Sequence, residues 1–406
     1  MDGPAFERGG LEPADPSGTG RSKSVGTTGL NLALATASLA VALLGGEGLV
    51  RLFSPIGPAL LVTDPVVGKH YVPGFDGHVF VDEARGQVEV RINSRGFRGP
   101  EWPRRKPTDG LRVAVVGDSM TAAIATDEER TFVRRLEAGL RRDGRPTAEV
   151  MNFGVASAST GAELVTWRSA VAEYRPDLVL LAFFTGNDLA DNSSRLTRAP
   201  RPYFDVDDEG RLRQEAEPAP TPALVRWLDR HSRLYVWQKV AFRRLRGTSR
   251  TASAGIEPGQ RIFARGGDPA VDHAWRVTGA LLRQLRDEVE ASGARFGVVV
   301  IPCAEEVDDS RWADLARRGR GAGLDLDRGE ASRRLAGIFG REGITALDLT
   351  PVFAEAARSR PGGAASASGL YLLGRFHLDD EGHRVAAEAI HRFLTRGAGL
   401  GLLGPR

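Results

Sequence analysis

Five short stretches of this chain read as nearly unbroken apolar runs: residues 111–116 (interrupted only by Arg112), 150–153, 177–184, 296–301 and 344–349. Runs of that length without polar alternation predict strands buried on both faces. Helical patterns lie between and after them, over about residues 127–142, 161–174, 271–292, 330–340 and 380–394. Such an alternation predicts a parallel sheet covered by helices on both sides. Parallel strands bring their carboxyl ends to one edge, where doubly wound folds bind their ligands. The residues that directly follow each strand are therefore the candidates for chemistry.

Composition narrows the classes of partner. The formal charge is only +3 over 406 residues, and just four basic residues are lysine, Lys23, Lys69, Lys106 and Lys239. The arginines are scattered among acids, with no basic stripe carrying interleaved aromatics, so nucleic acid is not expected as a partner. Cys303 is the only cysteine, which excludes an intrachain disulfide and a cysteine-based zinc site. His70, His78, His231, His273 and His391 are dispersed without metal-ligand spacing, so neither a metal nor a cofactor is expected.

The N-terminal segment suggests a membrane. Residues 1–27 are rich in Gly, Pro, Ser and charge and predict a disordered cytoplasmic tail. An apolar stretch over 28–53 is long enough to span a bilayer as a signal anchor, with Glu47 and Arg51 near its far end. Arg21 and Lys23 precede it, which puts the N-terminus inside and the remainder outside the cell membrane, as a single-pass protein. A cleaved signal peptide and a buried helix of the soluble domain are the competing readings. Residues 54–110 hold short extended pieces at 78–81 and 87–92, a small β-hairpin region with a linker. The main domain then runs over 111–396. A Pro-rich, partly helical insertion at about 191–269 is too long for a simple loop and is expected to be a lid. A short tail, 397–406, closes the chain.

The first strand runs into Gly117-Asp118-Ser119-Met120, the second ends in Asn152-Phe153-Gly154-Val155, and the third in Thr185-Gly186-Asn187-Asp188. Phe376-His377-Leu378 precedes the last helix, with His383 following. Acyl transfer needs a nucleophile, a base within reach and donors aimed at the oxyanion, and each type stands at the carboxyl end of a different strand or in the loop after the last one. The order Ser119, Gly154, Asn187, His377 in these contexts resembles the SGNH/GDSL hydrolase family. With Glu47 and Arg51 at the end of the N-terminal helix and the Asn93–Arg98 segment before the first strand, it is similar to a bacterial membrane-anchored subgroup.

That resemblance implies a flavodoxin-like three-layer α/β sandwich with a five-stranded parallel sheet. It also implies an esterase in which Ser119 attacks an ester carbonyl and His377 serves as base and then acid. The N–H groups of Ser119 and Gly154 and the side-chain amide of Asn187 would form the oxyanion hole, and the substrate would be an acylated small molecule, glycan or lipid. The family places an aspartate two or three residues before its histidine, where this chain has Arg375 and Gly374. Three explanations stay open: a backbone carbonyl orients His377; another acid substitutes, from Asp379, Asp380 or Asp348; or the site is degenerate. Asp118 is expected to order the Ser119 turn, and Asp188 to support the site or cap a helix. Besides hydrolysis of an envelope glycan or glycolipid, an O-acyltransferase and a non-catalytic glycan-binding protein are the alternative functions.

Overall fold

The computed structural model describes residues 24–54, 59–81, 83–84, 86–108, 110–215, 221–250, 255–359, 369–372 and 376–396. Helix α1 (Ser24–Phe53) comes first. Its stretch Thr28–Phe53 is long and apolar enough to cross a membrane, and its apolar side is not buried in the protein. Membrane spans and signal sequences share those properties. Two antiparallel hairpins follow, β1 (Leu61–Asp64) with β2 (Gly68–Tyr71), and β3 (Asp76–Val81) with β4 (Gly86–Arg91). In β4 the residues alternate, and Val88 and Val90 reach the core.

The main domain begins with β5 (Arg112–Gly117), α2 (Ser119–Ala122) and α3 (Phe132–Arg142). It continues through β6 (Glu149–Gly154), α4 (Thr160–Thr166), β7 (Leu178–Phe184) and α5 (Asp188–Asp191). The insertion contains a small hairpin, β8 (Phe204–Val206) and β9 (Leu212–Gln214), then α6 (Ala223–His231) and α7 (Arg233–Arg250). The chain returns through α8 (Pro269–Ala291), β10 (Arg295–Ile301), α9 (Ala304–Val307), α10 (Asp309–Gly321) and α11 (Glu330–Glu342). It finishes with β11 (Ala346–Asp348), α12 (Thr350–Arg358) and α13 (Asp380–Arg396).

The five main strands form one parallel sheet in the order β6-β5-β7-β10-β11. This is the flavodoxin-like arrangement, with the chain reversing direction of travel at β5. All seven residues of β7 are buried, as are all six of β5, which is why these segments carry no polar alternation. Each such aliphatic or aromatic side chain contributes about 1.5–3 kcal/mol on burial. Helix α8 starts two residues before its apolar pattern because Asp268 caps it, accepting the Ala270 N–H at 2.9 Å, with Pro269 in the first turn.

Two departures from the sequence pattern have local causes. The helix expected over 161–174 is regular only to Thr166; a π turn and a 3₁₀ turn then bring Trp167, Val171 and Tyr174 into the core. Arg112, the charge inside the first apolar run, is fully buried and multiply bonded. It pairs with Glu149 at 2.6 Å and donates to the carbonyls of Tyr174, Arg104 and Pro103. It thereby ties the linker to the sheet. Phe97 and Trp102 complete that junction by packing on Phe153, ring centroids 4.8 and 5.4 Å away.

Candidate active site

The sheet places the ends of β5, β6 and β7 level, with Gly117 opposite both Gly154 and Ala182. Directly after β5, the Asp118 carboxylate accepts the Met120 N–H at 2.8 Å and caps α2, so that Ser119 opens the helix half-buried. Gly117 must be glycine here, since a Cβ would lie 2.3 Å from Thr121 Oγ1. Arg98 secures the other end of this turn. Its buried guanidinium donates to the carbonyls of Ala122, Ala123 and Thr126, the last at 2.7 Å. The Asn93–Arg98 segment thus acts as a brace under the serine.

Ser119 and His377 line one cavity of about 330 Å³, together with Tyr71, Phe80, Val81, Glu83, Ile124, Ala125 and Ala156. The His377 loop is held by the Leu372 N–H on the His377 carbonyl (2.8 Å) and the Asp379 N–H on the Leu370 carbonyl (3.0 Å). The His377 ring finds its partner 294 positions away in sequence: Nδ1 lies 2.5 Å from Glu83 Oε2. An ionised carboxylate can only accept, so Nδ1 carries the proton and Nε2 is left as the basic nitrogen. Burial by itself would depress His377, but the bond and charge of Glu83, with the charge of Asp118, outweigh it and hold the imidazole above its usual range.

Glu83 was not among the acids considered from the sequence, and each of those is occupied elsewhere. Asp379 accepts the Gly382 N–H at 2.9 Å in the first turn of α13. Asp380 pairs with Arg135 at 2.5 Å. Asp348 accepts the Thr350 N–H at 2.8 Å and starts α12. Asp188 is buried and accepts the Phe184 N–H at 2.7 Å, tying α5 to β7. Gly374 and Arg375 lie outside the described residues. The sequence signal for Glu83 was indirect, the missing acid beside His377; a carboxylate in a hairpin turn otherwise reads as a solvated charge.

The oxyanion donors also need one correction. The Gly154 N–H is committed to Asn152 Oδ1 at 2.9 Å. A Cβ at Gly154 would lie 2.3 Å from the Ala122 nitrogen, so this glycine serves the close packing of β6 against α2. In the turn that follows, Val155 N–H bonds the Gly117 carbonyl, Ala156 N–H bonds Tyr71 Oη at 3.1 Å, and Ala158 N–H bonds the Val155 carbonyl. Only the Ser157 N–H in this turn has no acceptor among the described residues, and Ser157 stands at φ +65°. A serine in the left-handed region is uncommon.

Asn187 stands at the N-terminal boundary of α5 without a capping side-chain bond, and its amide donates to Asp191 Oδ2 at 3.1 Å. Arg201 fixes Asp191 in turn, 2.6 Å from the same oxygen. The Asn187 amide also acts on Asp118, next to Ser119. Burial raises Asp118 to about 6 against the opposing Met120 N–H, the charge of His377 and the Asn187 amide. Behind it Glu163 and Asp188 are pushed well above the usual carboxylate range, by burial first and then by the charge of Asp118. His383 is depressed to about 3 by burial and the neighbouring cations; it accepts the Phe132 N–H and stacks on that ring, a packing role. Among the described residues no cluster of His, Cys, Asp and Glu is arranged to hold a metal ion.

A serine after a parallel strand and an acid-supported histidine line one cavity on a flavodoxin-like fold, the residue types that a serine hydrolase requires. The GDSL-like lipase/acylhydrolase family model matches residues 115–385, and the chain belongs to that family. No curated relative matches it. Among solved structures, TesA is 14% identical, with 70% of this chain and 98% of that one covered at a TM-score of 0.36. The acetyl xylan esterase AlAXEase is 14% identical, covering 69% and 98% at 0.38. An Axe2 variant, an acetylxylan esterase from Geobacillus stearothermophilus, is 15% identical, covering 71% and 95% at 0.38. At that distance these likenesses say nothing of the substrate.

Proposed function

We propose that this protein is a serine esterase using Ser119, His377 and Glu83, and that it removes a short acyl group from an envelope glycan or glycolipid outside the membrane. The observation that carries it is the 2.5 Å bond between Glu83 and His377 Nδ1 in the cavity shared with Ser119. Ser119 Oγ attacks the ester carbonyl while Nε2 of His377 takes its proton, and Glu83 stabilises the imidazolium that forms. The oxyanion is received by the Ser119 and Ser157 N–H groups, with Ser157 replacing Gly154 in this role; the Asn187 amide is engaged by Asp191 at 3.1 Å and joins them only on leaving that carboxylate. His377 then protonates the departing alcohol. Water, deprotonated by the same nitrogen, cleaves the acyl-enzyme and restores the serine.

The walls made by Tyr71, Phe80, Val81, Ile124 and Ala125 suit a small apolar acyl group. The described residues of the 191–269 insertion supply none of this lining, so the lid that would have favoured transfer to a sugar over hydrolysis loses its support. The Glu83 carboxylate on His377 favours an active site over a degenerate one. Outward placement rests on α1 as an anchor with Arg21 and Lys23 before it.

Labelling of the full chain with a fluorophosphonate probe tests the reading. The wild type should label and Ser119→Ala should not; a folded wild type that stays unlabelled would overturn it. Product analysis with an acceptor sugar present should give free acid rather than a transferred ester.

A further inference from the structure

Helix α1 carries two charges over Thr28–Phe53, Glu47 and Arg51. They pair with each other at 2.8 Å and both engage the junction between α6 and α7. Glu47 accepts the Arg233 N–H (2.9 Å), the Leu234 N–H (3.0 Å) and the Ser232 hydroxyl (2.9 Å), so a carboxylate sits at the N-terminus of α7. Arg51 donates to the His231 carbonyl at 2.9 Å, so a guanidinium sits at the C-terminus of α6. Each charge matches the dipole of the helix end that it caps. Leu234 closes against the bare face of Gly46, where a Cβ would stand 3.2 Å from Leu234 Cδ2. One ion pair on one turn of α1 thus clasps two helices of the insertion.

Helix α6 turns Asp229 inward, buried and bonded to Lys239 of α7. The opposite stripe, Leu224, Trp227 and His231, faces out, with Leu224 66% and Trp227 56% exposed; Trp237 on α7 is 41% exposed. Arg226 and Arg230 stand exposed on the same helix and pair with no acid among the described residues. Large apolar side chains ringed by arginine are costly in water and suited to the headgroup region of an anionic bilayer. The two charges of α1 mark the end of its apolar stretch, and the clasp holds α6 and α7 at that level.

We infer that the α6–α7 hairpin is a membrane-interfacial platform, seated on phospholipid headgroups beside α1 by Leu224, Trp227 and Trp237. This rests on reading α1 as a membrane span. The insertion then fixes the height and tilt of the hydrolase domain above the bilayer.

Single nitroxide labels on the full chain test this, in a Cys303→Ser background reconstituted into phosphatidylethanolamine–phosphatidylglycerol vesicles. Labels at Leu39→Cys, Trp227→Cys and Trp237→Cys are compared with one at Asp314→Cys, on α10, for collision with oxygen and with a water-soluble nickel chelate. Positions 227 and 237 should show several-fold less nickel collision than 314 and more oxygen collision. Adding Glu47→Gln should bring position 227 back toward the value at 314. If 39 lies in hydrocarbon while 227 and 237 match 314, the platform is refuted and the anchor stands. If 39 is itself open to nickel, the anchor reading fails and takes the platform with it. Protection at 227 and 237 that is lost as the protein-to-lipid ratio is lowered would show a second copy of the chain there and refute the lipid assignment.

Discussion

Replacing Glu83 by glutamine keeps the shape of the side chain and removes the charge on which His377 rests. The two groups are 29% and 27% exposed, so solvent screens the bond only in part. A hydrogen bond to a charged group contributes about 1.5–3 kcal/mol, and the substitution withdraws that support from the charged imidazole. The sign follows from the causes. Glu83 raises His377 and burial opposes it, so the variant's imidazole titrates lower. The base works when neutral; wild-type activity should therefore rise as pH climbs through the raised value of His377, and the acid limb of Glu83→Gln should move to lower pH. Turnover should nevertheless fall, by about 10²–10⁴, because the imidazolium formed in the transition state loses its counter-charge and the glutamine amide can select the wrong tautomer. The assay is kcat/KM against pH with an activated acetate ester, alongside fluorophosphonate labelling. A variant with the wild-type limb and wild-type turnover would refute the assignment of Glu83.

Three further changes probe the frame of the site. Ser157→Gly should keep its turnover, since the proposed donor is backbone, and should unfold at equal or higher temperature, because relief of a left-handed serine of about 1–2 kcal/mol exceeds the entropic cost of glycine. Gly154→Ala keeps its N–H yet should lose about 1–3 kcal/mol or more in denaturant titration, since the new Cβ meets the α2 backbone. Arg98→Met strips donors from three carbonyls around the Ser119 turn. It should cost about 3–5 kcal/mol in the same titration.

The sequence by itself determined the sheet and the edge at which chemistry would gather. An apolar run such as 178–184, too short for a buried helix and bounded by Pro176 and Gly186, reads as a strand covered on both faces. Ser119 follows a strand end by chain order alone, whereas His377 stands beyond α12, just before α13. Arg98 and Arg112 could be seen as charges but not as braces, because their acceptors are backbone carbonyls whose positions exist only after folding. Glu83 was hidden for the same reason. Its chemistry depends on the β3–β4 hairpin folding over the sheet edge, and nothing in the local turn separates it from a solvated acid. Gly154 and Ser157 divide along that line too: glycine is recognisable as a residue type, whereas a serine forced to positive φ, freeing one N–H beside the cavity, is a property of the packed turn. Local patterning settles which segments become strands and helices, and long-range packing decides which distant side chains share a proton.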